Sequence, residues 1–288
     1  MTNNISGKTK ICALIGDPVE HTMSPAMHNA AFQKLGLDYA YVPLHVKPDQ
    51  LVAAVNGLKA LNVRGFNVTI PHKVSVIPLL DTLDPLAQKI GAVNTVVIDN
   101  GKLKGYNADA EGFLRALTEH DFKPKGKKVI VLGAGGASRA ISFILAKAGA
   151  SLTILNRQQE LDWAENIARL IKTSFKREVK ALELGHLPDV LPADLLINAT
   201  SVGMSPTPNI SPIPALPRSK APLVFDIVYN PLKTRFLQDA ITAGAQTISG
   251  VDMLAWQGAL AFEKWTGKKA PVDLMRQTAV NMLERHEK

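Results

Sequence analysis

One continuous run, residues 127–157, constrains the fold of this chain more than any other stretch. It begins with a short, wholly apolar segment, Val129 to Leu132, of the kind that is buried on both faces of a parallel sheet. Glycines follow at once, and apolar residues then recur at helical spacing as far as Gly149. A second apolar segment, Leu152 to Leu155, comes next. The run therefore predicts strand, glycine turn, helix and strand, and with them an α/β fold on a parallel sheet.

The turn contains Gly133, Gly135 and Gly136 in the pattern G-x-G-x-x-S. Glycine turns tightly and lets a pyrophosphate approach backbone N–H groups without a Cβ in the way. The N-terminus of the following helix directs its partial positive charge to the same place. The glycine pattern is weak evidence alone, but the flanking strands and the helix make it specific for a dinucleotide. Ser138 replaces the third glycine, and it is small enough to keep the helix close to the strand.

The end of the second strand indicates which dinucleotide binds. NAD-binding proteins usually carry Asp or Glu there for the ribose hydroxyls, whereas this chain has Asn156 and Arg157. Because arginine suits a 2′-phosphate, NADP is the predicted cofactor.

Composition limits the class of protein. With 288 residues and 46% hydrophobic content, the chain is long enough for two domains with ordinary cores. No apolar run approaches the roughly 20 residues of a membrane helix, and the N-terminus lacks the apolar block of a signal peptide. Cys12 is the single cysteine and lies in an apolar segment, which predicts a core residue, no internal disulfide and a cytoplasmic location.

The formal net charge of +8 raises the question of a nucleic-acid partner. The lysines are spread along the chain, with small clusters only at 123–128 and 264–269, and no aromatic-interleaved basic motif accompanies them. An anionic dinucleotide and an anionic small substrate account for part of the excess charge. We therefore expect small-molecule partners, no nucleic acid and no membrane, in a monomer or homodimer.

The residues before this run also alternate between strand and helix patterns, which predicts a second α/β layer. Residues 11–16 form its first predicted strand, and a helix begins near Ser24 with Pro25 at its first position. Thr22 and Ser24 thus place two hydroxyls beside a helix N-terminus. The pair is suited to a carboxylate, and an equally good interpretation is that Ser24 only caps the helix.

Polar residues follow two further apolar segments of this layer. GFNVTIPHK brings Asn67, Thr69 and Lys73 to a strand end and the loop beyond it, where α/β sheets commonly place their chemistry. His72 stands beside Lys73, but without a ligand cluster it does not predict a metal site.

Residues 91–98 are predicted as a strand that carries Asn94, and a helix is predicted from about 110 to 120. Asn94, Asn107 and Asp109 lie at the edges of these segments, where each is also typical of an ordinary turn. Near the other end of the chain, residues 205–222 hold six prolines and predict a long surface loop.

Nine blocks, in order over essentially the whole chain, carry the motifs HTMSPAMHN, NVTIPHK, GAVNT, GYNADAEG, GAGGASRA, NR, NATSVGM, VYNPLKT and GVDMLAWQGALAFEKWTG. Together they resemble the shikimate dehydrogenase family, including its quinate/shikimate branch. The resemblance implies an α/β substrate domain at 1–109, completed by C-terminal helices at 250–288, and a Rossmann-like, doubly wound NADP domain at 110–249, with the active site in a cleft at their junction. It also implies reversible, NADP-dependent reduction of 3-dehydroshikimate to shikimate, a step of aromatic amino acid biosynthesis.

By position, Lys73 and Asp109 match the catalytic pair of the family. Hydride reduction of a ring ketone creates an oxyanion that must receive a proton, and the reverse reaction needs a base for the same hydroxyl, so one lysine can serve both directions. The resemblance implies that the substrate-binding residues are Thr22, Ser24, Asn67, Thr69, Asn94, Tyr229 and Gln257. It implies that the cofactor-binding residues are Gly133, Ala134, Gly135, Gly136, Ala137, Asn156, Arg157, Thr200, Ser201, Val202, Gly203, Met204, Ile227, Gly250 and Met253.

Three departures from the family pattern bear on specificity. Thr22 stands where Ser is usual, and its extra methyl group bears on the preference between shikimate and the bulkier quinate. Ala108 replaces a common Thr. After Arg157, residues 158–161 read QQEL where Thr and a further basic residue are common. We therefore expect a weaker grip on the 2′-phosphate and some use of NAD.

Two other functions compete with the leading one. A quinate-preferring or dual-specificity dehydrogenase carries the same motifs. A non-catalytic dinucleotide-binding sensor uses the same fold, but the intact Lys73 and Asp109 favour an enzyme.

Overall fold

The computed structural model describes residues 5–216, 218 and 220–286. It contains two compact units: the described residues up to Gly112 with Ala255–Met282, and Phe113–Leu254 with the described residues from Leu283 on. The domain limits of 1–109, 110–249 and 250–288 stay a prediction, and residues 1–4 and 287–288 lie outside the described part of the chain.

A six-stranded mixed sheet organises the first unit. Its strands are β1 (Lys10–Gly16), β2 (Tyr39–His45), β3 (Gly65–Val68), β4 (Thr82–Leu83), β5 (Thr95–Asp99) and β6 (Lys102–Tyr106). In the order β2-β1-β3-β5-β6-β4, the first three strands are parallel, and β5 is antiparallel to both β3 and β6. The α-helices of this part of the chain are α1 (Ser24–Lys34), α2 (Leu51–Ala60), α3 (Pro85–Ile90) and α4 (Ala108–Glu119).

The strand predicted at 91–98 is wrong at its beginning. Gly91 ends α3 in the left-handed conformation, at φ 70°, and the strand begins only at Thr95. Asn94 therefore lies just before β5, and its carbonyl accepts a hydrogen bond from the backbone N–H of Val68 at 2.9 Å. This pairing leaves the Asn94 side chain at the end of β3, close to the turn that carries Lys73.

A six-stranded, fully parallel sheet organises the second unit. Its strands are β7 (Lys128–Leu132), β8 (Ser151–Asn156), β9 (Lys180–Glu183), β10 (Leu195–Asn198), β11 (Leu223–Asp226) and β12 (Gln246–Ile248). The helices between them are α5 (Gly136–Lys147), α6 (Leu161–Phe175), α7 (Leu187–Val190) and α8 (Arg235–Thr242). The order β12-β11-β10-β7-β8-β9 is that of a doubly wound dinucleotide-binding sheet, which confirms the predicted α/β, Rossmann-like fold class.

The prediction of a surface loop at 205–222 is wrong in part. The segment has no regular structure in its described residues, but Ile213, Leu216 and Ala221 are buried in the core of the second unit with Leu196 and Val224. Proline keeps the segment irregular while its apolar side chains still gain from leaving water.

Two C-terminal helices, α9 (Gly250–Thr266) and α10 (Val272–His286), follow β12. Trp265 near the end of α9 donates its indole N–H to the carbonyl of Val96 in β5 at 3.0 Å, and its own carbonyl accepts from Arg64 Nε at 2.8 Å. Gly65 in β3 permits this contact, because a Cβ there would overlap the indole ring. The last part of α9 is thus fixed to the sheet of the first unit.

Two predictions from composition can be compared with the structure. Cys12 is fully buried in β1, and burial raises the pKa of its thiol, so the prediction of a core residue is confirmed. Among the described residues, no helix has both the length and the apolar composition needed to cross a membrane. The same residues contain no group of three or more His, Cys, Asp or Glu side chains that could hold a metal ion.

His28 in α1 is fully buried among aromatic side chains of the first unit. Its ring stacks on that of Tyr41 with 4.4 Å between centroids and lies 5.3 Å from the ring of Trp265. Within the described residues, neither ring nitrogen has a hydrogen-bond partner. Burial accordingly lowers the pKa of His28 from 6.5 to about 3.

We expect acid to destabilise the protein through His28. Between pH 6.5 and about 3 the unfolded chain binds a proton there that the folded chain does not, so the free energy of unfolding falls as the pH falls through this window. Replacing His28 with Phe removes that proton and two unpaired polar atoms, so the variant should be more stable, by about 1–3 kcal/mol. Urea unfolding at neutral and at mildly acidic pH checks this, and an equal loss on acidification in both proteins would contradict it.

Candidate active site

Lys73 and Asp109 form an ion pair in the first unit. Lys73 lies in the turn after β3 and Asp109 in the first turn of α4, and Lys73 Nζ is 2.6 Å from Asp109 Oδ2. The two side chains are only 16% and 7% exposed. The fold thus brings together the two residues that the family motif paired, although 36 positions separate them in the chain. A lysine held beside a carboxylate in a partly buried place is an arrangement suited to proton transfer.

The turn that carries Lys73 is held at both sides. His72, which is buried, places its Nε2 2.6 Å from the carbonyl of Val46, and because a carbonyl only accepts, Nε2 carries the proton. The carbonyl of Lys73 accepts from the backbone N–H of Val93 at 2.8 Å. His72 therefore fixes the position of the turn.

Asn94 holds the other oxygen of Asp109. Asn94 Nδ2 donates to Asp109 Oδ1 at 2.8 Å. Its Oδ1 accepts from the backbone N–H of Ala108 at 2.7 Å and from Thr95 Oγ1 at 3.0 Å. Both carboxylate oxygens of Asp109 thus have a donor, so the side chain is held at two points. Asn107 behaves as an ordinary helix cap, since its Oδ1 accepts from the N–H of Ala110 at 3.1 Å.

Asn67 is buried, and its amide is committed inside the first unit. Its Nδ2 donates to the carbonyl of Asn94 at 3.0 Å and to Thr95 Oγ1 at 3.1 Å, and its Oδ1 accepts from the Tyr41 hydroxyl at 2.7 Å. Both amide hydrogens are therefore used, which supports a positioning role for Asn67 more than direct contact with a substrate. Tyr41 and Thr95 were missed in the sequence, because a tyrosine and a threonine in apolar strands look like ordinary core residues.

Thr22 and Ser24 are joined at the start of α1. The backbone N–H of Ser24 donates to Thr22 Oγ1 at 3.3 Å. Ser24 is the first helical residue, Met23 is the N-cap, and no side chain caps the helix, so the interpretation of Ser24 as the cap is wrong. Pro25 does lie in the first turn, as predicted. Two hydroxyl-bearing residues beside an uncapped helix N-terminus are suited to an anionic group.

Thr69 and Gln257 are the other predicted substrate residues of the first unit, and both are half-buried. Thr69 follows β3, and its N–H donates to the carbonyl of Ile15 at 3.0 Å. Gln257 lies in α9 against Gly112 of α4, where an added Cβ would stand 2.7 Å from the Gln257 backbone nitrogen. Because Gly112 comes three residues after Asp109, the helix face of Asp109 lies beside Gln257. Tyr229 belongs to the second unit, where burial raises its pKa.

The glycine turn of the second unit divides its roles between three positions. Gly133 adopts φ +95°, and an added Cβ would lie 2.5 Å from Thr200 Cγ2, so this glycine makes the tight turn. A Cβ added to Gly135 would meet no atom within 4 Å among the described residues, which leaves room for a ligand group against the backbone. Ser138 is buried and donates to the carbonyl of Gly133 at 2.6 Å, so it ties the helix to the turn. The arrangement fits a pyrophosphate at the N-terminus of α5. The other predicted cofactor residues of this turn, Ala134, Gly136 and Ala137, lie at the same place in the chain.

A second loop, residues 199–204, follows β10 beside the glycine turn. Asn198 organises it: its Oδ1 accepts from the Thr200 N–H at 3.1 Å and from Thr200 Oγ1 at 2.6 Å, and its Nδ2 donates to the carbonyl of Val202 at 3.1 Å. Gly203 adopts φ +90°, and the neighbouring Ser201 and Met204 are exposed. The loop thus keeps a fixed backbone at the carboxyl end of the sheet, where doubly wound folds bind their ligands.

Asp226 at the end of β11 is fully buried. It accepts from Asn198 Nδ2 at 2.9 Å, from the Val228 N–H at 3.0 Å and from Thr234 Oγ1 at 2.6 Å. Burial raises the pKa of Asp226 to about 6, while the three donors oppose that rise and keep the group ionised at neutral pH. Sequence reasoning missed this cluster, since single Asn, Asp and Thr residues at strand ends are common.

Three further predicted cofactor residues lie near the beginning of α9. A Cβ on Gly250 would overlap the carbonyl of Ile227, so this glycine lets α9 begin against the end of β11. Met253, one turn later, is buried. These contacts place the start of α9 beside the carboxyl end of the second sheet.

Arg157 has a partner that the sequence did not predict. Its Nη2 lies 2.8 Å from both carboxylate oxygens of Glu160. Asn156 Nδ2 donates to the carbonyl of Glu160 at 2.6 Å and so turns the chain back toward Arg157. Because Arg157 is 69% exposed, the ion pair adds little stability, and a stronger anion can compete for the guanidinium group.

Comparison with known proteins gives the same family over both units. The chain matches the family model of the shikimate dehydrogenase substrate binding domain over residues 14–96 and that of the shikimate 5′-dehydrogenase C-terminal domain over residues 250–280. A shikimate dehydrogenase (NADP(+)) of Methanobrevibacter smithii is 50% identical over 287 residues, which cover 97% of this chain and 99% of that protein.

Solved structures that resemble this protein include members of the same family. A crystal structure of a shikimate dehydrogenase in complex with NADP+ has a TM-score of 0.91 and 42% identity, and the match covers 97% of each chain. The Thermus thermophilus shikimate 5-dehydrogenase in complex with NADP(H) and shikimate has a TM-score of 0.84 and 38% identity, over 95% of this chain and 99% of that one. Because the identity with such proteins extends over nearly the whole sequence, the chain belongs to the shikimate dehydrogenase family.

Proposed function

We propose that this protein is an NADP-dependent shikimate dehydrogenase, which catalyses the reversible reduction of 3-dehydroshikimate to shikimate. The observation that carries the proposal is the partly buried contact between Lys73 and Asp109, at 2.6 Å, in a chain that belongs to this family. A dinucleotide-binding sensor has no use for such a pair, whereas a dehydrogenase of ring hydroxyls needs one.

The proposed chemistry assigns one proton transfer to Lys73. Bound NADPH supplies the hydride for reduction, and NADP+ accepts it in the reverse direction. The Lys73 ammonium gives its proton to the oxygen of the reduced carbonyl group, and solvent then returns a proton to the amine. In oxidation the neutral amine takes the proton of the substrate hydroxyl. Asp109, fixed by Asn94, keeps the Lys73 nitrogen in place.

The proposed substrate contacts follow the chemistry of the product. Thr22 and Ser24 hold the carboxylate at the N-terminus of α1, which favours an anion. Thr69, Asn94 and Gln257 hold ring hydroxyls, and Tyr229 is a further proposed substrate contact. Asn67 acts through its neighbours, because its amide hydrogens are already committed.

The proposed cofactor contacts lie in the second unit. The glycine turn accepts the pyrophosphate at the N-terminus of α5, and Arg157 accepts the 2′-phosphate. The loop at 200–204 and the residues Ile227, Gly250 and Met253 accept the nicotinamide half.

Steady-state kinetics with purified protein tests the function. We expect kcat/KM to be highest for shikimate with NADP+, measured by the appearance of reduced nicotinamide, when shikimate and quinate are each assayed with NADP+ and NAD+. A higher value for quinate would replace the proposal with the quinate-preferring alternative, which the extra methyl group of Thr22 makes worth testing. Tight NADP+ binding without turnover of either substrate would overturn the enzyme and leave the sensor.

The Arg157–Glu160 contact predicts how the protein divides its affinity between the two dinucleotides. Replacing Glu160 with Gln removes the carboxylate that competes with a 2′-phosphate for Arg157. An exposed ion pair contributes about 0.2–1 kcal/mol, so NADP+ should bind roughly 1.5- to 5-fold more tightly. The NAD+ affinity should not change.

Calorimetric dissociation constants for both dinucleotides check this prediction. The matched control is Glu165→Gln, which makes the same charge change on an exposed position of α6. Equal NADP+ affinities in the two variants would show that Glu160 does not compete for the cofactor.

A further inference from the structure

A single chain of hydrogen bonds runs through the first unit and ends on Asp109. The Tyr41 hydroxyl donates to Asn67 Oδ1 at 2.7 Å, and Asn67 Nδ2 donates to Thr95 Oγ1 at 3.1 Å. Thr95 Oγ1 donates to Asn94 Oδ1 at 3.0 Å, and Asn94 Nδ2 donates to Asp109 Oδ1 at 2.8 Å. All five residues are buried.

We propose that Thr95 and Tyr41 are positioning residues for the Lys73–Asp109 pair, because they fix the direction of this hydrogen-bond chain. The proposal rests on the function proposed above. Thr95 is the last residue of the motif GAVNT, but the family resemblance assigned no role to Thr95 or to Tyr41, and neither is expected to touch the substrate.

The direction of these hydrogen bonds follows from two backbone groups, one of which can only donate and the other only accept. The Ala108 N–H can only donate and lies 2.7 Å from Asn94 Oδ1, so the amide nitrogen of Asn94 faces Asp109. The carbonyl of Asn94 can only accept and lies 3.0 Å from Asn67 Nδ2, so the amide oxygen of Asn67 faces Tyr41. These two backbone groups settle the orientation of both amides without reference to the site.

Thr95 is the one link in this chain that both accepts and donates through the same atom. Its Oγ1 receives the Asn67 N–H and sends its own hydrogen to Asn94 Oδ1. A hydroxyl group meets both demands, and a valine of the same shape meets neither. Without it, one N–H of Asn67 and one acceptor position of Asn94 are left unpaired in a dry interior, which is costly.

The consequence for Asp109 is a loss of orientation. Asn94 Oδ1 then keeps only the Ala108 N–H as a donor, and the bond from Asn94 Nδ2 to Asp109 no longer gains the polarisation that connected hydrogen bonds provide. Asp109 Oδ1 is then held less firmly. Because Lys73 Nζ is hydrogen-bonded to the other oxygen of Asp109, the position of Lys73 Nζ becomes less well defined too. Thr95 and Tyr41 thus act on catalysis only through Asn94.

Steady-state kinetics on Thr95→Val, Thr95→Ser and Tyr41→Phe tests the proposal. We expect Thr95→Val to lower kcat for shikimate oxidation about 10-fold with KM changed less than about 3-fold, as for an interaction that acts mainly in the transition state. Thr95→Ser, which keeps the hydroxyl, should stay within about 2-fold of wild type.

A double variant separates positioning from general loss of stability. Because the side-chain path from Tyr41 to Asp109 passes through Thr95, Thr95→Val with Tyr41→Phe should have the kcat of Thr95→Val alone, whereas independent effects would multiply. The matched control is Thr153→Val, another buried threonine, in β8 of the second unit, which should leave kcat unchanged. Wild-type kcat in folded Thr95→Val, multiplied effects in the double variant, or an equal loss in Thr153→Val would each overturn the proposal.

The failure of this inference and that of the proposed function look different. A wild-type protein that does not oxidise shikimate overturns both. An active wild-type protein whose Thr95→Val and Tyr41→Phe variants turn over at the wild-type rate overturns the positioning role alone.

Discussion

Replacing Lys73 with Ala is expected to lower kcat by about 10²- to 10⁴-fold, the usual contribution of one group that transfers a proton. The KM for shikimate should change much less, because the carboxylate and the ring hydroxyls keep their proposed partners. Steady-state kinetics in both directions measures both quantities. Turnover near that of the wild type would show that another group moves the proton.

The same substitution leaves Asp109, which is only 7% exposed, without its cation, and this can reduce stability independently of catalysis. The double variant Lys73→Ala with Asp109→Asn removes the unpaired charge. We expect it to recover the melting temperature that Lys73→Ala loses and to stay as inactive. Recovery of activity along with stability would mean that the first loss came from misfolding.

The second large effect is expected at Gly135, where valine should weaken NADP+ binding without affecting the fold. A Cβ there meets no atom of the described chain within 4 Å, so a larger side chain has room to begin at this position in the free protein, but it takes the space proposed for the pyrophosphate. Loss of one hydrogen bond to a charged group costs about 1.5–3 kcal/mol, which corresponds to roughly 10- to 100-fold weaker binding. Calorimetric titration with NADP+ and a thermal melt of the free protein measure the two sides of this prediction.

Gly133→Ala is the matched control. The two glycines lie two residues apart, but Gly133 is needed for the backbone turn itself, whereas Gly135 is needed only to leave room for the ligand. At φ +95°, and with Thr200 Cγ2 2.5 Å from the added Cβ, alanine at 133 strains the folded protein itself. We expect a lower melting temperature for Gly133→Ala and an unchanged one for Gly135→Val. The opposite pattern would contradict the division of roles between the two glycines.

The second unit was predictable because its signals are local. Its strand β7 is apolar almost throughout, its glycines stand at fixed offsets, and α5 shows one apolar stripe, so strand, turn and helix follow from residues adjacent in the chain. The apolar residues in the segment 205–222 were harder to place. Proline and missing periodicity predict the absence of regular structure, but they carry no information on whether Ile213 or Leu216 meets a core formed by distant residues.

The candidate site shows the same division. Lys73 and Asp109 stand in motifs that resemble those of the family, so the resemblance singled them out as a pair. The contacts that hold them could not be found in this way, although Asn94 and Asn67 were themselves predicted as site residues. Asn67 meets Thr95 because β3 and β5 run antiparallel in one particular register, and that register is fixed by pairing across 28 positions. The contact of Glu160 with Arg157 depends on a turn that Asn156 makes, which composition does not reveal.

The position of Trp265 has a consequence for how the chain is made. Its hydrogen bonds to Val96 and Arg64 span 169 and 201 residues. The strands of the first sheet therefore leave the ribosome long before Trp265 of α9, which covers the aromatic side of that sheet. Contacts so far apart in sequence form slowly, and domains otherwise tend to fold in the order in which the ribosome releases them. In this protein the parallel sheet of the second unit is complete at Ile248. It is therefore synthesised in full before α9 can pack on the sheet of the first unit. We therefore expect a chain whose synthesis stops soon after Ile248 to contain the complete second sheet and a first sheet whose aromatic side is still exposed.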